Sequence, residues 1–210
     1  MNRRDFMQKS GAAAVTGAVG ASLAAPVLGR ETERKMPDGA ASFQLNYAPH
    51  LGMFRNLAGN DPLDQLNFMA DRGFTAFEDN GMKGRTVETQ EAMARVMADR
   101  GITMGVFVAH TIFWREPNLA SGREDWRTQF LTEIEESVEV AKRVGATWMT
   151  VVPGHVDLRL NMGYQTAHVV ESLKQASAIL EPHGLVMVLE PLNPRDHPGL
   201  FLTGMPQAYS

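Results

Sequence analysis

The chain has 210 residues, 44% of them hydrophobic and 21% charged, with 19 Gly, 11 Pro and no Cys. The apolar share supports a buried core and excludes a wholly disordered chain, and the lack of cysteine excludes disulfide scaffolds, thiolate metal sites and cysteine nucleophiles. With 20 Lys+Arg against 24 Asp+Glu the formal charge is -4, so no strong basic field exists to hold a phosphate backbone and nucleic acid is not an expected partner.

Residues 1–29 read as an export signal. Arg3, Arg4 and Lys9 form a basic start, Gly11 to Gly29 is a weakly apolar run, and small residues surround Ser22-Leu23-Ala24. The Arg3-Arg4-Asp5-Phe6 stretch resembles the twin-arginine type, which implies a periplasmic or otherwise exported product. Residues 30–41 form a polar linker, and 42–210 the folded part. No later apolar run is long enough to span a bilayer, so stable membrane insertion is not expected once the signal is removed.

From Phe43 on, short β-rich runs alternate with amphipathic helical stretches. The first run is 43–48. Asp61 as N-cap and Pro62 at the first helical position open a helix with Leu63, Leu66 and Met69 on its stripe, closed by Gly73. The second run is 74–77, and its helix carries Met93, Val96 and Met97 before Gly101. The third run is 102–108. After a longer loop around Trp114 comes a helix with Phe130, Ile134 and Val138 spaced by four, closing near Gly145. The fourth run, 147–152, precedes a helix through Val169, Leu173, Ala176 and Leu180, and the fifth is 185–189. Residues 205–210 read as the first turn of one more helix. Glycine recurs between helix and strand at 73, 101, 145 and 184, where a left-handed C′ residue ends a helix.

This βα alternation means a parallel sheet covered by helices, either an open doubly wound sheet or part of a (β/α)₈ barrel. In both, ligands bind at the C-terminal ends of the strands. The polar residues following the five runs are His50, then Glu78 and Asp79, then His110, then His155 and Asp157, and finally Glu190. Carboxylates and imidazoles on one rim suit a divalent metal or acid–base chemistry, although polar residues are also ordinary where strands meet solvent. Glu190 stands apart because it ends the apolar run Val186-Met187-Val188-Leu189. A phosphate-binding glycine loop, a dinucleotide fingerprint, a nucleophile elbow and a His-Glu-x-x-His pair are all absent from the sequence.

The stretch Leu189-Glu190-Pro191-Leu192-Asn193-Pro194-Arg195-Asp196-His197-Pro198-Gly199 resembles the hydroxypyruvate isomerase family, within the xylose isomerase-like TIM barrels. Phe201-Leu202-Thr203, Phe77-Glu78-Asp79-Asn80-Gly81 and Thr150-Val151-Val152-Pro153-Gly154 continue the likeness. The resemblance implies a (β/α)₈ TIM barrel of which about the first five βα units are present. It also implies an aldose–ketose type isomerase acting on a small hydroxy-carbonyl or sugar substrate, such as hydroxypyruvate. Glu190 would be both a ligand of a divalent ion, Mg or Mn, and a catalytic acid–base. His110, Asn193, Arg195 and Asp196 would lie by the substrate, with a rigid turn as the other reading of the 194–198 stretch.

The family's further metal ligands and second catalytic glutamate lie on strands six to eight, which this sequence does not contain. A shortened record or an early stop is therefore expected, as is a chain that neither turns over substrate nor stands alone, because strands one and five would keep free edges. Rival readings are a sugar epimerase, a non-catalytic periplasmic carbohydrate-binding protein on the same barrel, and a DNA-repair endonuclease. The acidic charge and the export signal speak against the last. Homo-oligomerisation is left open by the sequence.

Overall fold

Helix boundaries follow the caps that the sequence supplies. The structure is a computed structural model that describes Phe43 and residues 45–209; the export signal and the linker, 1–29 and 30–41, lie outside the described residues. Helix α1 is a single turn, Arg55–Ala58. Helix α2, Pro62–Asp71, starts on Asp61, whose carboxylate accepts from the Leu63 backbone N–H, with Pro62 at its first position. Helix α3, Val87–Arg100, starts on Thr86, whose hydroxyl accepts from Thr89 N–H. Helix α4 is Glu124–Val144 and α5, opened by Asn161, is Met162–Leu180. The last element, α6, is Met205–Tyr209. Gly101 and Gly145 take left-handed C-cap conformations, φ 61° and 67°, which a residue with a Cβ adopts only with strain.

Four short strands alternate with these helices: β1 Ala76–Phe77, β2 Thr103–Met104, β3 Trp148–Val151 and β4 Val186–Leu189. Strands β1 and β2 pair in parallel, as do β3 and β4, with Trp148 opposite Val186 and Val151 opposite Leu189. Single parallel bridges extend the series, His50 to Glu78 before it and Val108 to Thr150 in its middle. The five segments thus run side by side in chain order. A doubly wound sheet reverses its strand order part-way, whereas sequential parallel neighbours with crossovers of one hand put every helix on one side. That is barrel topology, and α2 to α5 accordingly pack each against the next in sequence.

The core lies between this helical layer and one face of the strands. Phe77, Met104, Met149 and Val151 meet Leu66, Met69, Met93, Phe130, Ile134, Val138, Val169 and Ala176 there. Much of it is methionine, whose unbranched chain fills irregular gaps. Each such side chain contributes roughly 1.5–3 kcal/mol through its removal from water. The opposite face is open: Trp148, Val186 and Val188, at alternate positions, are 52%, 47% and 38% exposed.

The strands are shorter than the apolar runs predict, and 43–48 forms no strand among the described residues beyond the bridge at His50. Pro49 has no N–H to give a ladder, and Leu45 and Tyr47 stay exposed while Phe43 stacks on Phe74. No helix of the described residues is long and apolar enough to cross a membrane.

Candidate functional site

Strand alternation aims Glu190. Its N–H donates to Val151 O, so it continues the β4 ladder, and it shares parity with Val186 and Val188 rather than with Met187 and Leu189, which pack toward the helical core. The carboxylate therefore belongs to the open face of the sheet, at the C-terminal mouth of β4, and it is exposed. Glu78 stands at the same kind of place after β1, while Asp79, one residue on, is buried. The Asp79 carboxylate accepts from Gly81 N–H at 3.1 Å and from Arg85 Nε at 2.6 Å, which fixes the loop after β1.

His110 occupies the end of the third run and is only 5% exposed. Its Nδ1 faces Thr111 O at 2.8 Å, and Val152 N–H donates to its Nε2 at 3.2 Å. This pairing requires the neutral ring with its proton on Nδ1. Burial pushes its pKa down to about 4, against the upward pull of the Thr111 carbonyl and of Glu133. With the Phe130 ring edge-on at 5.0 Å, His110 has both nitrogens engaged by backbone and none free to meet a substrate.

Two charged residues that sequence reading passed over support this corner. Glu133 on α4 accepts from Thr111 N–H at 2.6 Å and from the Thr111 hydroxyl at 3.0 Å. Burial raises its carboxyl pKa, but the hydrogen bonds from Gln129 and Thr111 outweigh this and hold it below the usual value. Lys83 donates to the backbone oxygens of Ala109 and Glu133. Both sit among the polar residues of a solvated helix or turn in the sequence, and no spacing separates them from surface charges.

The segment after β4 is a built loop. Asn193 Oδ1 accepts from Asp196 N–H at 2.9 Å, and His197 N–H donates to Asn193 O, so Asn193 closes a turn. The rigid-turn reading thus describes its side chain, while Arg195 and Asp196 are exposed at the tip. The His197 ring stacks on Trp114 at 5.3 Å, linking the loops after the third and fifth segments. At its base, Leu200 bridges His155 in antiparallel fashion, Val156 N–H donates to Gly199 O, and Phe201 N–H to Gly154 O. In the loop after β3, the Asp157 carboxyl is held below its ordinary pKa by the hydrogen bonds from Arg159.

Gly199 sets the fit at that base. Its φ is +85°, and a Cβ there would lie 1.9 Å from His155 Nε2. Gly199→Ala should therefore destabilise the fold by about 2 kcal/mol, from the left-handed backbone and the displaced imidazole. A urea midpoint equal to that of the native chain would mean that residues 199–202 are not held against His155.

The sequence matches the family described as xylose isomerase-like TIM barrel over residues 66–202. The chain belongs to that family. Among solved structures, the xylose isomerase-like chain is similar to an AP endonuclease of family 2 from Brucella melitensis, with 22% identity and a TM-score of 0.61, covering 74% of this chain and 58% of that one. It is similar to a 3-keto-D-glucoside 4-epimerase from E. coli, with 18% identity, a TM-score of 0.57 and coverage of 71% and 57%. It is also similar to the IOLI protein with a binding zinc atom, with 19% identity, a TM-score of 0.54 and coverage of 69% and 50%. These likenesses carry the fold, and the chain spans between 50% and 58% of the length of these relatives. No curated protein sequence matches it.

A divalent ion needs several hard ligands converging on one point. Among the described residues no three His, Asp or Glu side chains do so. Glu190 offers one carboxylate, and both nitrogens of His110 are taken. The described residues therefore do not fit a resident Mg or Mn.

Proposed function

We propose that the barrel to which these five βα units belong moves a proton on a carbon next to a carbonyl, in a small hydroxy-carbonyl compound or sugar, with Glu190 as the carboxylate that takes and returns it. The observation that carries this reading is the position of Glu190, an exposed carboxylate on the open face at the C-terminal end of β4, where barrels of this kind bind their ligands. Removing the proton leaves an enediolate. One carboxylate on one side of that plane can return the proton to the neighbouring carbon while the hydroxyl proton passes from one enediolate oxygen to the other, which interconverts a hydroxy-ketone and a hydroxy-aldehyde. Inverting a centre instead needs a second acid on the other face. We favour an aldose–ketose type isomerisation because the stretch Leu189 to Gly199 resembles the hydroxypyruvate isomerase family, with hydroxypyruvate as the first substrate to try. A sugar epimerase is the alternative. A formal charge of -4 favours a small substrate over a nucleic acid.

The test is deuterium wash-in from D₂O, followed by NMR, with hydroxypyruvate and with a ketohexose. It is run with the 210-residue chain and with the longest translated frame that contains it. Deuterium at the hydroxyl-bearing carbon, together with the aldehyde product, is the expected result in the catalytically competent frame. Absence of wash-in from both substrates in both proteins would overturn the reading.

We further propose that residues 1–29 direct export through the twin-arginine route, on the strength of Arg3 and Arg4 before the apolar run. Exchanging both arginines for lysine should leave the chain in the cytoplasm of a bacterial host. Periplasmic recovery of that variant would remove the assignment.

A further inference from the structure

Three of the helices packed on this sheet share a feature one residue beyond the usual capping pattern. A capping box places Gln or Glu at the third helical position, from which it reaches back to the N-cap N–H. Here α2, α3 and α5 carry a glutamine at the fourth position, Gln65, Gln90 and Gln165, following the caps Asp61, Thr86 and Asn161. All three are at most 3% exposed, so each buried amide needs partners for its N–H groups and its oxygen.

The partners lie in the loop before each helix. Gln90 Nε2 donates to Met82 O at 2.9 Å and to Arg85 O at 3.1 Å, and its oxygen accepts from Arg143. Gln165 Nε2 donates to Asp157 O at 3.0 Å and Leu160 O at 2.9 Å, and its oxygen accepts from Asp157 N–H at 2.8 Å. In both units the acceptor carbonyls lie eight and five residues before the glutamine. Gln65 uses other offsets for the same end, accepting from Gly52 N–H and donating to Gly59 O. In α4 the fourth position is Arg127, which turns instead to Ser172 and Glu124.

We propose that Gln90 and Gln165 are positioning residues that fix the loops on the ligand side of the first and third strands. Gln165 acts further still. It holds both backbone polar groups of Asp157, next to Val156, whose N–H donates to Gly199 O at the base of the loop that follows Glu190. The placement of Asn193 to His197 thus depends on a side chain that touches none of them. That these loops face a ligand rests on the reading of Glu190 given above; the clamp itself does not.

Backbone amide hydrogen exchange of the full chain, without substrate or metal, tests this with Gln165→Glu. The carboxylate keeps the acceptor for Asp157 N–H but presents negative charge to the carbonyls of Asp157 and Leu160. Protonated, it recovers one donor. Relative to the native chain at each pH, exchange in 156–160 and 191–202 should rise about ten- to a hundredfold at neutral pH. It should fall back toward the native rate as the new carboxyl is protonated, with β1, β2 and α3 unchanged throughout. A residue that merely fills space gives no pH-dependent ratio. Half-buried Gln175, which donates only to Glu171 on its own helix, provides the control: Gln175→Met should leave residues 156–160 and 191–202 unchanged.

A ratio near one at all pH values, or an equal rise in all elements, would overturn the proposal. Gln90→Glu repeats the test on residues 82–85 should the first variant not fold. Because no ligand is present, failure here leaves the role of Glu190 standing, and loss of proton transfer in a Glu190 variant leaves the clamp standing.

Discussion

In the frame that exchanges substrate protons, Glu190→Gln is expected to lower kcat about a thousandfold while KM changes only a few-fold. The amide keeps the shape and the hydrogen-bonding oxygen of the carboxylate but has no basic lone pair to receive a carbon-bound proton. Binding that depends on shape should survive, while the step that moves the proton should not. Glu190 is exposed and its side chain lies outside the packed core, so the urea midpoint should stay within about 0.5 kcal/mol of the native value. Glu190→Asp restores the base on a shorter arm and should recover part of the rate. A Gln variant of native activity would sink the assignment, and a variant that loses KM but keeps kcat would make Glu190 a binding group instead.

The βα order, the caps at Asp61 and the glycines at 101 and 145 were all legible in the sequence, because each is a local rule read over a few residues. The barrel itself required more. Five apolar runs are compatible with an open sheet, and only the parallel neighbours in chain order exclude it. At the rim the sequence shows that Glu190 directly follows the fifth apolar run, which the structure folds as β4, since an apolar run terminated by a carboxylate is a local pattern too. It does not reveal that His110 turns its two nitrogens onto backbone, that Asn193 is spent on its own turn, or that helical Gln90 and Gln165 reach back into loops. Those facts depend on which groups are buried together. A polar residue on a helix reads as solvated until tertiary packing closes over it.

The same packing exposes a contrast between the two faces of the sheet. Phe77 in β1 is fully buried, whereas Val186 and Val188 in β4 remain about half exposed on the open face and have a partner strand on one side only. A groove lined by Val170, Leu173, Met187 and Leu189 runs along the other side of β4. The expectation of a free edge at the fifth strand therefore has a specific residue content, and the described residues leave it uncovered.

His110 should make stability depend on pH in a window of its own. An unfolded chain protonates this imidazole near 6.5, but in the fold burial lowers the value to about 4, because a cation there would lose water and would no longer accept from Val152 N–H. Between these values the unfolded state binds more protons than the native one, so stability is complete above pH 6.5 and falls as the pH drops toward 4. The whole gap is worth about 3 kcal/mol. The carboxyls shifted in the fold, Glu88, Asp125, Glu133, Glu139 and Asp157, all move downward from 3.8 or 4.5, and their contributions are lost only at lower pH. Urea unfolding between pH 6.5 and 4.5 should accordingly show a loss of about 2–3 kcal/mol. His110→Gln, whose amide oxygen can still accept from Val152 N–H, should be less stable at pH 7 yet nearly flat across that window. A native slope retained in the Gln variant would place the titrating group elsewhere, and a flat native profile would mean that the ring is not held as a buried neutral acceptor.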